Sequence, residues 1–338
     1  MKKTNFIILF IIGNILLNVA YAGTERWIAN NFAIRPEVQS FITNMQNKHN
    51  FDKEQLELLF TQYNTNQEVL KKISNPSEKL SWGKYKKLLI SNSRISQGKT
   101  FLINYKDILL KAEQQFGVPK EMIVAILGVE SFYGKVSGNI PVIESLATLS
   151  FDYPPREKFF KQELEHFLLL TKEERLDPKN IMGSYAGAMS PAQFISSSYR
   201  AYAIDFENIG TKDLNNMPNA IGSVANYFYK HGWQGKQPIA RAAKIVTNNN
   251  YVEYIDRDLA SPKPKHSLQQ LKNIGIESSA YKFNDLTKQA ILMEFINEGN
   301  KKEYWLGFNN FCVITKYNHS VNYAMAVYHL ALELGLIY

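Results

Sequence analysis

Between about residue 35 and residue 233, apolar side chains recur at three- and four-residue spacing with proline or glycine at the breaks, which predicts a succession of amphipathic helices. After His231-Gly232-Trp233-Gln234-Gly235 the texture changes. Residues 242–246, 289–296, 302–306 and 312–315 are short β-prone runs separated by turn residues such as Asn309-Asn310, and they predict a small inserted sheet. Ser267-Leu268-Gln269-Gln270 has capping-box spacing and predicts one short helix inside the insertion. Helical spacing returns from Tyr323 to Leu334, so the chain rejoins its helical part. The expected fold is α+β, mainly α: a helical region over 23–233, a small antiparallel β module over 234–316, and a closing segment with a C-terminal helix over 317–338.

Residues 1–22 stand apart. Lys2 and Lys3 precede an apolar run from Phe6 to Leu17, and Ala20-Tyr21-Ala22 puts small residues where a signal peptidase reads, which predicts a secretory leader cut after Ala22. The run is short for a membrane span, which leaves a membrane-anchored N-terminus as the minority reading, and no cysteine near it can carry a lipid, so no lipid anchor is expected. The remaining length suffices for two or three subdomains around a cleft. Losing the leader lowers the formal charge from +8 to +6. A basic surface suits nucleic acid, anionic lipid or an acidic cell-wall polymer, and export argues against the first; no nucleic-acid partner is expected. Cys312 is the only cysteine, which excludes an internal disulfide and leaves stability to packing. Its setting, Phe311-Cys312-Val313-Ile314, reads as a buried strand.

The candidate chemistry concentrates in Gly128-Val129-Glu130-Ser131-Phe132-Tyr133-Gly134. Ahead of it, Phe116-Gly117-Val118-Pro119-Lys120 reads as a helix stop, a turn and a proline suited to opening the next helix, which should run to about Tyr133. Ile123, Ile126 and Leu127 then share a face with Glu130. A carboxyl desolvated in this way keeps its proton near neutral pH and can donate it to a leaving oxygen. The same spacing equally suits a helix-end glutamate paired with a lysine or arginine.

Five motifs in order carry a resemblance: Gly128 to Gly134; Leu146 to Pro154; Gly183 to Met189 with Gln193-Phe194; Ala220 to Phe228 with His231-Gly232-Trp233; and Thr315 to Ser320. With them the chain resembles the lytic murein transglycosylase B family, which cleaves the glycan strand of peptidoglycan. The resemblance spans most of the chain after the leader. It implies a lysozyme-like helical core and Glu130 as the catalytic acid/base. It further implies Ser184 and Gln193 as polar residues near the cleaved bond, Tyr227 and Tyr317 as cleft aromatics, Asn318 as the adjacent amide, Tyr85 as an outer-subsite tyrosine, and Arg156 as one of an arginine pair. Pro155 replaces the first arginine of that pair and Phe159 a tyrosine.

Most glycosidases flank the bond with two carboxylates. Asp152, Glu144, Glu163 and Glu165 lack the apolar setting of Glu130 and read as solvated positions, so a mechanism with one carboxylate is expected, aided by the substrate's own N-acetyl group. No cofactor is expected. Residues 205–216 lie where the family has a calcium loop; Asp205, Glu207 and Asp213 supply carboxylates, but Ile209 and Asn216 fall at ligand positions, so the loop reads as degenerate and metal-free, with weak calcium binding as the lesser alternative. A lysozyme-like hydrolase using water, a non-catalytic peptidoglycan-binding protein and a basic nucleic-acid-binding module are the competing classes.

Overall fold

The computed structural model describes residues 31–74, 80–247, 250–258, 260–282 and 285–337; the leader lies outside them. The chain divides into two compact units, one made of residues up to Asn75 together with Gly138–Ala188, the other of Pro76–Ser137 with Met189–Tyr338. The division runs through the 23–233 stretch that the sequence pattern treats as one region.

The first unit is built from the helices Pro36–His49, Lys53–Phe60, Gln67–Ile73, Val142–Asp152 and Glu157–Glu173. Local chemistry sets their ends. Pro36 opens the first, left-handed Asn50 closes it, the Asp52 carboxylate accepts from Gln55 N at 3.0 Å, and the Asn66 side chain caps the helix that follows it. Phe32, Ile42, Met45, Phe60, Phe160 and Phe167 are fully enclosed at its centre. A two-residue antiparallel ribbon pairs β1 (Ile140–Pro141) with β2 (Met182–Gly183).

All four of the acidic side chains read as solvated behave otherwise: Glu144 is half-buried, and burial raises its carboxyl pKa against the opposing effect of a hydrogen bond with Asn66. Arg35 grips Asp152 with two nitrogens, Nη1 to Oδ2 at 3.0 Å and Nη2 to Oδ1 at 2.9 Å, and Thr65 Oγ1 donates to Oδ2 at 2.8 Å. Glu165 pairs with Lys48 and His49, which hold its pKa below the usual carboxylate range against the opposing effect of burial. Glu163 is buried. The error has one source: helical periodicity shows which face a side chain occupies but not whether a neighbouring helix covers that face.

In the second unit the helix Lys120–Ser131 is buried from Glu121 to Gly128, and the helices Asn92–Asn104, Lys106–Phe116, Met217–Lys230 and Val321–Glu333 all pack on it. A helix apolar on every side can only sit at the centre of such a cluster. Beside it, β3 (Ala240–Ile245), β4 (His266–Ser267), β5 (Ile276–Ser278), β6 (Gln289–Ile296) and β7 (Lys302–Gly307) form an antiparallel sheet in the order β4-β6-β7-β3-β5. The Ser267 capping box opens the helix Leu268–Asn273, whose Leu268 and Leu271 pack with Ile276, Leu292 and Leu306 in the core of the sheet.

The run Cys312–Thr315 is not a strand. It lies in the helix Asn309–Tyr317, and the Asn309-Asn310 pair read as a turn is that helix's first turn. Asn310 is buried, its amide donating to Gln234 O and Gln237 O and accepting from Gln234 N. A short, continuously buried apolar run has no period to separate strand from helix. Cys312 is buried, as read, and burial pushes its thiol up to about 12. No helix among the described residues is long and apolar enough to cross a membrane.

Candidate active site

The helix carrying Glu130 starts after Pro119, which stands at the N-cap, and ends at Ser131, two residues earlier than the sequence suggests. Phe132, Tyr133 and Gly134 all take left-handed backbone, at φ 52°, 64° and 86°. Non-glycine residues adopt this at a cost of roughly 1 kcal/mol or more each, and the surroundings over-determine it. Tyr133 folds back into a slot left by two glycines: a Cβ on Gly98 would lie 2.4 Å from the Tyr133 hydroxyl, and one on Gly128 would lie 2.7 Å from the same ring. The hydroxyl donates to Arg94 O at 2.7 Å, and Arg94 Nε donates to Gly128 O at 2.9 Å. On the other side Ser131 Oγ donates to Pro191 O at 2.7 Å and accepts from Gly134 N at 2.9 Å. The residue next to Glu130 is thus tied down in both directions.

Glu130 itself is only partly exposed. Loss of water around its carboxyl pushes the pKa up to about 7, and the Tyr323 hydroxyl, donating to Oε1, works in the opposite sense. Neither of these causes is a lysine or arginine, so the ion-paired reading of the segment falls. Tyr317 and Tyr227 face the same carboxyl, and burial together with its charge raises both phenols above their ordinary range. Tyr323 is the residue that the sequence reading missed. It lies in the first turn of Val321–Glu333, after the Ser320 cap, and nothing in a helical pattern separates a hydroxyl that meets a carboxylate from a tyrosine in the core.

Removing that hydroxyl has a defined direction. Tyr323→Phe takes away a donor that favours the charged form, so the Glu130 pKa should rise further and the basic limb of the kcat/KM profile should move to higher pH. A profile unchanged on the basic side would show that another group titrates there.

The structure gathers most of the remaining expected residues in this unit. The Tyr227 hydroxyl donates to Lys316 O at 2.6 Å and the Tyr317 hydroxyl to Ala192 O at 2.6 Å, so each ring is locked while its oxygen can still accept. Their rings lie 4.8 Å apart, and Phe194 and His231 extend the cluster. Asn318 follows Tyr317 as the C-cap of its helix in extended backbone. Gln193, left-handed at φ 50°, donates from Nε2 to Ser137 O at 3.0 Å and Ser190 O at 2.9 Å, so the amide nitrogen is tied to its loop and any contact with substrate falls to Oε1. Tyr85 is buried and acts electrostatically on Tyr323.

Ser184 and Arg156 belong to the first unit. Ser184 Oγ accepts from Ala188 N at 3.1 Å and Ala186 N at 3.3 Å, and its own N–H donates to Ala188 O at 2.7 Å. The hydroxyl closes its own turn and retains its proton for donation. Arg156 lies over the Phe159 ring at 4.3 Å and near Phe160 at 5.2 Å, so the phenylalanine found where the family has tyrosine serves as a cation–π shelf.

The 205–216 loop is held by hydrogen bonds of its own. Asp205 accepts from Ile209 N at 2.9 Å and Gly210 N at 2.7 Å, and Asp213 Oδ1 from Asn215 N at 2.9 Å. Asn216, at the twelfth position, spends its side-chain oxygen on capping the helix Met217–Lys230. Protein donors hold the rest: Asn219 bonds Thr211 O at 2.9 Å and Phe206 N at 2.8 Å, and the Tyr199 hydroxyl bridges Lys212 O and Leu214 N at 3.0 Å each. A bidentate carboxylate, the strongest ligand of such loops, is lacking at the last position.

The chain is 39% identical over 319 residues to membrane-bound lytic murein transglycosylase B of Escherichia coli strain K12, spanning 91% of this chain and 85% of that one. The crystal structure of soluble lytic transglycosylase SltB1 from Pseudomonas aeruginosa superposes with a TM-score of 0.82 at 41% identity, covering 88% of this chain and 98% of the other. SltB3 from the same organism, solved in complex with NAG-NAM-pentapeptide, matches with a TM-score of 0.76 at 27% identity over 87% and 78% of the two chains. The family model described as the transglycosylase SLT domain matches residues 33–332, nearly the whole described chain, and this protein belongs to that family.

Proposed function

We propose that the protein is an exported lytic transglycosylase that cleaves the β-1,4 bond between N-acetylmuramic acid and N-acetylglucosamine in peptidoglycan, with Glu130 as acid and then base. One observation carries this reading: a desolvated carboxyl with a pKa of about 7 and a tyrosine hydroxyl as its partner. Asp152, the alternative carboxylate, is spent on Arg35 and Thr65. Glu130 donates its proton to the glycosidic oxygen as the bond to C1 breaks, while the sugar's N-acetyl group stabilises the positive charge on C1. The ionised Glu130 then takes the proton of the C6 hydroxyl as O6 bonds to C1, closing a 1,6-anhydro ring without added water. Proton and electron count balance, and the carboxyl ends as it began.

Around it Tyr317, half-exposed, covers the apolar face of a sugar ring, while Tyr227 and Tyr85, buried, offer the substrate no more than a ring edge. Ser184, Gln193 and Asn318 meet polar groups near the cleaved bond, and Arg156 serves an outer subsite. Catalysis belongs to the 23–233 region and the closing 317–338 segment, with the β module between them. Peptidoglycan is the partner in this reading. Export rests on the leader read at residues 1–22, and N-terminal sequencing of exported protein should begin at Gly23.

The products decide the chemistry. Muropeptides released from purified sacculi should end in 1,6-anhydro-N-acetylmuramic acid, one water lighter than a lysozyme product, and resist borohydride reduction at that end. Products reducible throughout would make water the acceptor and the enzyme a hydrolase.

A further inference from the structure

The indole of Trp82 is 2% exposed and opens the helix Trp82–Leu89. Its Nε1–H donates to Glu303 Oε1 on β7 at 2.5 Å, while Glu303 Oε2 accepts from Asn297 Nδ2 at 2.9 Å. A buried indole N–H must find such an acceptor. Next in sequence, Gly83 lies so close to the turn between β6 and β7 that a Cβ there would come within 2.9 Å of Glu298 N. The Trp82 ring packs on Phe295 of β6 at 5.2 Å and on His329 of the helix Val321–Glu333 at 5.7 Å. The charged groups around this contact are Lys86, whose Nζ lies 5.9 Å from the Trp82 ring, and the exposed pair Lys87–Glu298 at 2.8 Å. One turn beyond Trp82, on the same face, is Tyr85. Six residues before His329 on its own helix is Tyr323, whose hydroxyl donates to the Glu130 carboxyl.

We propose that the β6–β7 hairpin is a positioning element for the catalytic acid: through the Trp82–Glu303 hydrogen bond and the seat of Gly83 it fixes the helix Trp82–Leu89, and with it Tyr85, against the helix that presents Tyr323 to Glu130. This rests on Glu130 being the acid. The β module is then part of the catalytic frame. A glycan-binding appendage would act on affinity, whereas a frame acts on the alignment of the acid, and small misplacements of a catalytic group are costly in rate.

The test uses the whole enzyme on soluble glycan strands, with kcat and KM measured separately. Glu303→Ala and Trp82→Phe should each lower kcat by about ten-fold or more with KM changed by no more than about two-fold, as expected of lost alignment rather than lost binding. Glu303→Gln keeps an acceptor for the indole and should recover most of the loss. A KM effect with unchanged kcat, or wild-type values throughout, would overturn the proposal. Should Glu303→Ala fail to fold, Trp82→Phe is read together with Glu303→Gln, since it removes the donor but also the pyrrole half of a buried indole, whereas Glu303→Gln keeps the packing and tests the acceptor alone. Glu130→Gln is run in parallel: near-normal turnover there would remove the acid itself, whereas a loss of about 100-fold or more in Glu130→Gln beside unaffected hairpin variants would remove only the positioning role.

Discussion

Glu130→Gln should leave a folded protein with peptidoglycan cleavage reduced by roughly 10²–10⁴-fold, the range that general acid–base catalysis contributes. The amide matches the carboxyl in shape and can still accept from the Tyr323 hydroxyl, so the pocket loses no packing. It has no proton of suitable acidity for the leaving oxygen and cannot take one from the C6 hydroxyl, so both halves of the reaction fail. Asp152→Asn is the matched control. That change weakens the grip of Arg35 and belongs to stability, with turnover of the surviving fold close to wild type. Near-normal turnover of Glu130→Gln, or comparable losses at both positions, would refute the assignment.

Gly138→Ala should be the most damaging single methyl in the first unit. Gly138 has φ +98°, outside the range of residues with a side chain, and a Cβ there would sit 2.0 Å from the Gly183 carbonyl and 2.5 Å from Ser184 N. Backbone cannot rotate aside as a side chain does. Either the β1–β2 ribbon opens or the Ser184 turn moves, at a cost of about 3 kcal/mol or more, lowering the melting temperature by roughly 5–10 °C. Thermal denaturation followed by circular dichroism measures it. A variant melting with the wild type would mean that the two segments are not in this contact.

Where the sequence was legible, a local rule was sufficient. Ser267 and Gln270 close a capping box because three residues fix it, and β6 follows the run 289–296 because bulky residues flanked by turns have few alternatives. Glu130 was singled out by its apolar face and its motif. What escaped was set by distant partners. Cys312–Thr315 is helical because Asn310 bonds to the chain near Gln234, more than seventy residues earlier. Asp152 is engaged because Arg35, over a hundred residues away, meets it. Tyr323 and the Trp82–Glu303 contact were hidden for the same reason: a tyrosine or tryptophan in a helical pattern announces burial, not which polar atom waits at the end of the ring.

The raised pKa of Glu130 also has a thermodynamic price. A carboxyl that ionises near 4.5 in the unfolded chain and near 7 in the native one binds more proton when folded, so folding takes up part of a proton between these values. The contribution of this group to stability is therefore most favourable below about pH 4.5, declines as the pH rises, and is fully unfavourable above about 7. The native structure holds the acid against its tendency to ionise, and the surrounding packing must offset that. Glu130→Gln, which has nothing to ionise, should accordingly melt above the wild type at pH 8, with the difference shrinking towards pH 5: the enzyme without its chemistry would be the more stable protein.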